Sequence, residues 1–265
     1  NKGTITGIGT VEGNRPFLPP PPVSYRTCDE NGQNWKKEEC SDYTVVDGST
    51  TAWRDGWYVV NSNVTIGNLV TVSGTVHLIL ADNASLTVNG GIKVAEGNSF
   101  SVYAQSVGKN MGTLTATSEN GAGIGGRNGD RNGSSCGNIT IHGGSVAATG
   151  GDEAAGIGGG KGGSGGNITI NGGNVTATSG DEAAGIGGGQ SGSGGNITIN
   201  GGNVTATSVT LAAGIGGGQS GSGGNITING GNVTATSVTL AAGIGGGQSG
   251  SGGNITINGG NVTAT

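Results

Sequence analysis

Few side chains in this sequence can do acid–base, thiol or metal chemistry: two His, three Cys and sixteen Asp or Glu among 265 residues. His77 stands in "TVHLIL", where strand alternation puts it on the outer face. His142 follows "NITI" at a position where later copies of that stretch carry Asn, so it reads as a surface variant. Cys28 and Cys40 bracket the polar stretch "DENGQNWKKEE". A disulfide between them would close an exposed loop with little else to hold it; the competing reading is two unpaired thiols. Cys136, in "NGSSCGNIT", reads as a lone thiol packed at a corner. These spacings make no zinc site. Asp152 and Asp181 recur in register in "GDEAAGIGG", as do Glu153 and Glu182. Calcium could sit between such carboxylates. The Gly-Gly-X-Gly-X-Asp pattern of calcium-binding solenoids is missing, however, and later copies replace "GDE" with "VTL", so a solvated corner is expected. No cofactor and no metal is expected.

Composition narrows the classes further. Glycine supplies 63 residues, aromatics 3% and charged residues 10%, which is too little for a conventional two-layer globule. Disordered chains are usually rich in charge or proline, and here the polar residues are Asn, Thr and Ser interleaved with Ile and Val. A net charge of −5, no basic stripe and no stacking platform argue against nucleic acid. No apolar run approaches the roughly 18 residues that span a bilayer. Since the sequence opens on Asn1 rather than Met, any export signal is expected to have been removed or to lie outside it.

What positions these residues is a repeat. Ile157, Ile186, Ile215 and Ile244 sit in "AAGIGGG" at a spacing of 29, with Ile124 of "GAGIGGR" 33 residues ahead of Ile157. Each unit reads "AAGIGGG", then "GNITING", then "GNVTAT". Alternation within the last two predicts an inward ladder of Ile168, Ile170, Val175, Ile197, Ile199, Val204, Ile226, Ile228, Val233, Ile255, Ile257 and Val262. One unit cannot bury so thin an apolar edge, but stacked units can, each strand pairing with its equivalent at about 4.8 Å. The fold class is therefore all-β: a parallel β-solenoid (β-helix) with 29-residue turns. Residues 44–118 alternate less regularly and carry Trp57, Tyr58, Leu78, Leu80, Phe100 and Tyr103, expected to form the hydrophobic cap and nucleus. The expected organisation is a detached strand and polyproline spacer over 1–22, a Cys-bounded loop over 23–43, irregular cap turns over 44–118 and the regular solenoid over 119–265.

"DGWYVVNSNVTI", "VSGTVHLILADNASLTVNGGIKV" and "GAGIGG" followed by "GNITIHGGSVAAT" and "GNITINGGNVTAT" resemble a family of large cell-surface proteins of clostridia and other gut or anaerobic bacteria, described as adhesin-like or carbohydrate-binding. The resemblance covers about residues 41–265 and implies secretion to the cell surface and a β-helical fold. It carries no established catalytic residues. Many β-helices are polysaccharide lyases or hydrolases, which need carboxylates and a Lys, Arg or His at one cleft. The walls here offer Asn, Thr and Gly, so a non-enzymatic structural or adhesive protein is expected, with a carbohydrate-binding module as the alternative and a lyase-like enzyme as a weak third.

Two features bear on partners. Twelve Asn-X-Ser/Thr sequons occur, of which Asn167, Asn174, Asn196, Asn203, Asn225 and Asn232 are candidate glycosylation acceptors on the repeat walls. A solenoid built from turn-forming Asn and strand-forming Thr generates such sequons in any case, and its Asn and Thr ladders could bind polysaccharide or bond along the stack. The last turn would leave Ile255, Ile257 and Val262 uncovered. "GTITGIGTV", with Ile5, Ile8 and Val11 alternating, is expected to add to that turn in a neighbouring copy, assembling the chain head to tail into a fibre. Further repeats beyond Thr265 are the rival explanation.

Overall fold

The computed structural model describes residues 20–129 and 134–265. Among them every regular element is a strand, and no helix is long and apolar enough to cross a membrane. Ile5, Ile8 and Val11, expected from the sequence to donate a strand, lie outside the described residues. β1 (Val23–Thr27) and β2 (Lys36–Cys40) form an antiparallel hairpin, and the body strands pair in parallel.

Parallel pairing follows from the repeat. After 29 residues the chain returns to the same place one rung along, so like stacks on like. Asn167–Ile170 pairs with Asn196–Ile199, Asn174–Thr178 with Asn203–Ser208, and Ile186–Gly187 with Ile215–Gly216. These three columns form the sides of the coil. The "NVTAT" column is a sheet of eight strands; the other two columns belong to one sheet of fifteen. They are joined by Val70–Leu80, eleven residues long, whose first end pairs with Ile92–Lys93 and whose second pairs with Ser99–Ala104. The chain is thus an all-β parallel β-helix.

Inside, Ile168, Ile170, Val175, Ile197, Ile199, Val204, Ile226, Ile228 and Val233 are each at most 1% exposed. Ile255 and Ile257 continue the ladder in register, lie in the last described turn and are half exposed; Val262 is partly buried. Towards the N-terminus the same ladders admit larger groups, Phe100 standing in register with Ile139 and Leu114 with Val146. Trp53 is fully buried here, 5.5 Å from the ring of Tyr58 and 5.7 Å from that of Phe100, and its Nε1 donates to the Thr50 carbonyl at 2.9 Å. That bond satisfies the one polar atom of the indole.

The structure corrects three expectations. Trp57 and Tyr103 are not interior cap residues: they face outward from the wall, where the hairpin covers them with Val59, Ile79 and Cys40. Strand alternation requires this once Tyr58, Val60 and Val102 point in. The segment 23–43 is a hairpin, not a disulfide-closed loop, and Cys28 and Cys40 are both free. Cys40 pairs with Val23 at one end of the hairpin, whereas Cys28 follows Thr27 at the other. Five residues of strand separate the two levels, roughly 16 Å, and a disulfide needs Cα atoms within about 7 Å. The third correction concerns His142 and belongs to the site. Cys136 is free and buried, and desolvation pushes its thiol up to about 12.

Candidate functional site

The hairpin defines the site. Its sequence signal is "NG" at Asn31-Gly32, a turn dipeptide between "VSYRT" and "KKEEC". Gly32 takes φ +71°, and the Asp29 carboxylate ties the turn by accepting from the amides of Asn31 and Gln33 and from Asn34 Nδ2 at 2.7–3.0 Å. Val23 and Tyr25, alternate residues of β1, pack on the outer wall. The Tyr25 ring lies 4.7 Å from Trp57 and 5.0 Å, edge-on, from Tyr103. Trp57 in turn stacks on His77 at 4.4 Å, and Tyr103 stacks on His142 at 4.6 Å with planes 7° apart. An aromatic column therefore runs along the outside of the first turns, roofed by the hairpin.

The column ends in a ladder of amides. Asn258 Nδ2 donates to Asn229 Oδ1, Asn229 to Asn200 and Asn200 to Asn171, each at 2.8 Å. This direction leaves Asn171 Nδ2 facing His142 Nδ1 at 3.4 Å. An amide nitrogen can only donate, so Nδ1 is the acceptor and the proton of the neutral ring sits on Nε2. His142 is thus the acceptor that terminates the ladder, not a solvated surface variant. Burial pushes it down to about 4, with the nearby His77 adding to the shift.

The same Nδ1 lies 3.4 Å from Cys28 Sγ. Cys, His and Asn meet here, but not in a nucleophilic arrangement. Burial raises the thiol to about 11, with Asp29 contributing, while the imidazole is lowered. A reactive cysteine needs the opposite, a thiolate beside an imidazolium. Both Cys28 and Asn171 also address one ring nitrogen, whereas a relay uses both.

Beside this contact opens a cleft of about 750 Å³. It is lined by the hairpin, through Arg26 and Trp35, and by the loop carrying Val107, Lys109 and Met111. Its floor is the turn that follows each "NITI" strand: His142-Gly143, Asn171 to Asn174 and Asn200 to Asn203. The Arg26 guanidinium lies 5.3 Å above the Trp35 ring. Glycine at 172 lets the indole settle on the wall, since a Cβ there would stand only 3.3 Å from the ring. Asn200 Nδ2 also donates to the Glu30 carbonyl at 3.2 Å, fastening the hairpin tip two rungs beyond His142. Trp35, Arg26 and Lys109 were invisible as site residues in the sequence. The repeats contain no aromatic, and the hairpin brings one to them.

The remaining candidates are dispersed. Glu153 pairs with Lys161 at 2.7 Å and Glu182 accepts from Gln190 Nε2, so the recurring acids are engaged singly at their corner. No group of three metal-ligating side chains occurs among the described residues. The sequon amides of Asn167, Asn196 and Asn225 each donate to the Asn one rung back at 2.8–2.9 Å, and Asn203 bonds to Asn174 in the same way. Asn232 in turn accepts from Asn261.

His142 makes folding pH-dependent. Its folded pKa lies below the unfolded value of 6.5, so the unfolded chain takes up a proton that the folded one refuses until about pH 4. The stability present above pH 6.5 is lost as pH falls from there towards 4, by up to about 2–3 kcal/mol. Denaturant midpoints at pH 7 and pH 4.5 measure the loss. His142→Asn, which supplies the residue that later turns carry, is expected to abolish most of that difference.

Residues 110–130, 139–161, 168–190, 197–219, 226–248 and 255–265 each match the beta helix repeat. No curated protein and no solved structure matches the chain. The six matches, laid on in-register parallel ladders of Ile, Val and Asn, make this chain a β-helical repeat protein.

Proposed function

We propose that the chain is a non-catalytic adhesive module of an extracellular cell-surface β-helix, and that its hairpin-walled cleft binds saccharide. The observation that carries this reading is Trp35, 37% exposed, held against an Asn-lined wall. Saccharides present apolar C–H faces and hydroxyl edges. An indole takes the first, and the exposed amides of Asn174 and Asn203 take the second. The cleft volume lies within the roughly 300–1,000 Å³ usual for small-molecule sites. The rigid parallel stack behind it suits a stalk that presents such a cleft. Resemblance to adhesin-like surface proteins points the same way.

A second reading, a purely structural stalk, is favoured by the ladders themselves, whose amides bond to one another along the wall. A glycan array with the purified chain separates the two. Saturable binding to one glycan class supports the cleft, and a blank array supports the stalk. In calorimetric titration with the best array ligand, Trp35→Ala is expected to weaken binding at least tenfold while leaving the melting temperature within a degree or two. Unchanged affinity would rule out this cleft as the binding site.

A further inference from the structure

The charge of the cleft runs against that of the molecule. The chain has sixteen acidic and eleven basic side chains for a net charge of −5, yet Arg26 and Lys109 line the cleft and, among the described residues, no Asp or Glu does. The nearest acid of the hairpin turn, Asp29, has its carboxylate folded into its own turn with three donors. Glu30 approaches the wall through its main-chain carbonyl. The two basic residues come from separate elements of the lining, one from the hairpin and one from the 105–111 loop.

Resting on the saccharide reading above, we infer that the cleft selects an anionic saccharide, one bearing carboxylate or sulfate groups. Arg26 lies over the Trp35 ring, and a guanidinium so placed can turn its in-plane N–H edge to a planar or trigonal anion. A sugar ring beside the indole can then place its acidic substituent at that edge. Lys109, on the 105–111 loop, supplies a second, less directional charge suited to another residue of an oligosaccharide. The floor adds neutral amides from Asn174 and Asn203, both exposed, which suit hydroxyls without repelling an anion. Long-range repulsion from the acidic body is screened beyond about 8–10 Å at physiological salt, so the local pair of cations decides.

The probes are trigalacturonic acid, its fully methyl-esterified form, a sulfated galactose trisaccharide and polyglutamate, each titrated against the full chain at low and at 0.5 M salt. The acid or the sulfated sugar is expected to bind, to lose at least tenfold on esterification or at high salt, and to lose a similar factor in Arg26→Gln. Lys109→Gln, on an exposed loop, gives a second variant should Arg26→Gln lower the melting temperature. Which of the two sugars binds identifies the anion as carboxylate or sulfate. Equal binding of acid and ester overturns the anionic selection but leaves a saccharide cleft. Equal binding of polyglutamate also overturns it, because charge alone would then suffice. Binding of no sugar, here or on the array, overturns the selection together with the saccharide reading.

Discussion

Gly187→Ala is expected to unfold the repeat wall or to lower its stability by more than about 3 kcal/mol, whereas Gly162→Ser, at another glycine of the same repeats, is expected to leave the melting temperature almost unchanged. Gly187 adopts φ +136°, a conformation almost confined to glycine, which costs an L-residue about 1–3 kcal/mol. Its second difficulty is spatial. A Cβ at Gly187 would stand 2.0 Å from the carbonyl oxygen of Gly216, its register partner one turn on. Rungs held about 4.8 Å apart by hydrogen bonds cannot part at one corner without breaking the ladder. The position recurs as Gly125, Gly158, Gly216 and Gly245 at φ +136° to +140°, so one Ala disturbs a column that runs through the five regular turns. Gly162 differs on both counts. It lies at φ +74°, where a Cβ meets nothing within 4 Å, and the equivalent positions carry Ser191, Ser220 and Ser249 at φ 61–64°. Thermal melts of the two variants beside the parent chain give the result. Coincident melts would contradict the corner geometry.

These corners show what the sequence makes legible and what it does not. A glycine kept at every repeat says that no side chain fits there, and Ser in place of Gly at the 162 position says that one does. The inner ladders are legible for the same reason: a period of two in "NITI" and "NVTAT" fixes the face, and a period of 29 fixes the partner. The candidate site had neither period to reveal it. Trp57, His77, Tyr103 and His142 align along the outer wall, but the irregular turns space them unequally, His77 and Tyr103 by 26 residues. The contact of Glu30 with Asn200 spans 170 residues, and no local pattern announces it. Cys28 and Cys40 misled because sequence spacing measures loop length, not which hairpin level each residue occupies. The one available cue was Asn31-Gly32 between "VSYRT" and "KKEEC", which marks a hairpin and hence a strand pair with a face to dock.

The second large effect lies inside. Ile226→Asn is expected to cost about 4 kcal/mol or more, and Thr227→Ser, one residue on, less than about 1 kcal/mol. Ile226 is 1% exposed and stacks in register between Ile197 and Ile255. Replacing it withdraws apolar burial worth roughly 2–3 kcal/mol. It also places an amide among Ile and Val side chains, where an unsatisfied polar group costs a further 1–3 kcal/mol. The outer Asn ladders cannot rescue that amide, because alternation points Asn225 to the opposite side of the sheet, where its Nδ2 already donates to Asn196. Thr227 sits on the outer side too, between Thr198 and Thr256, and Ser keeps its hydroxyl while removing one half-buried methyl. In a stack the damage also spreads, since each rung is held by its neighbours. The loss in Ile226→Asn should therefore appear as early hydrogen exchange across the adjoining strands Asn196–Ile199 and Asn254–Ile257 as well as in Asn225–Ile228. Equal melting temperatures for the two variants, or fast exchange confined to Asn225–Ile228, would mean that the ladder does not share its load between rungs.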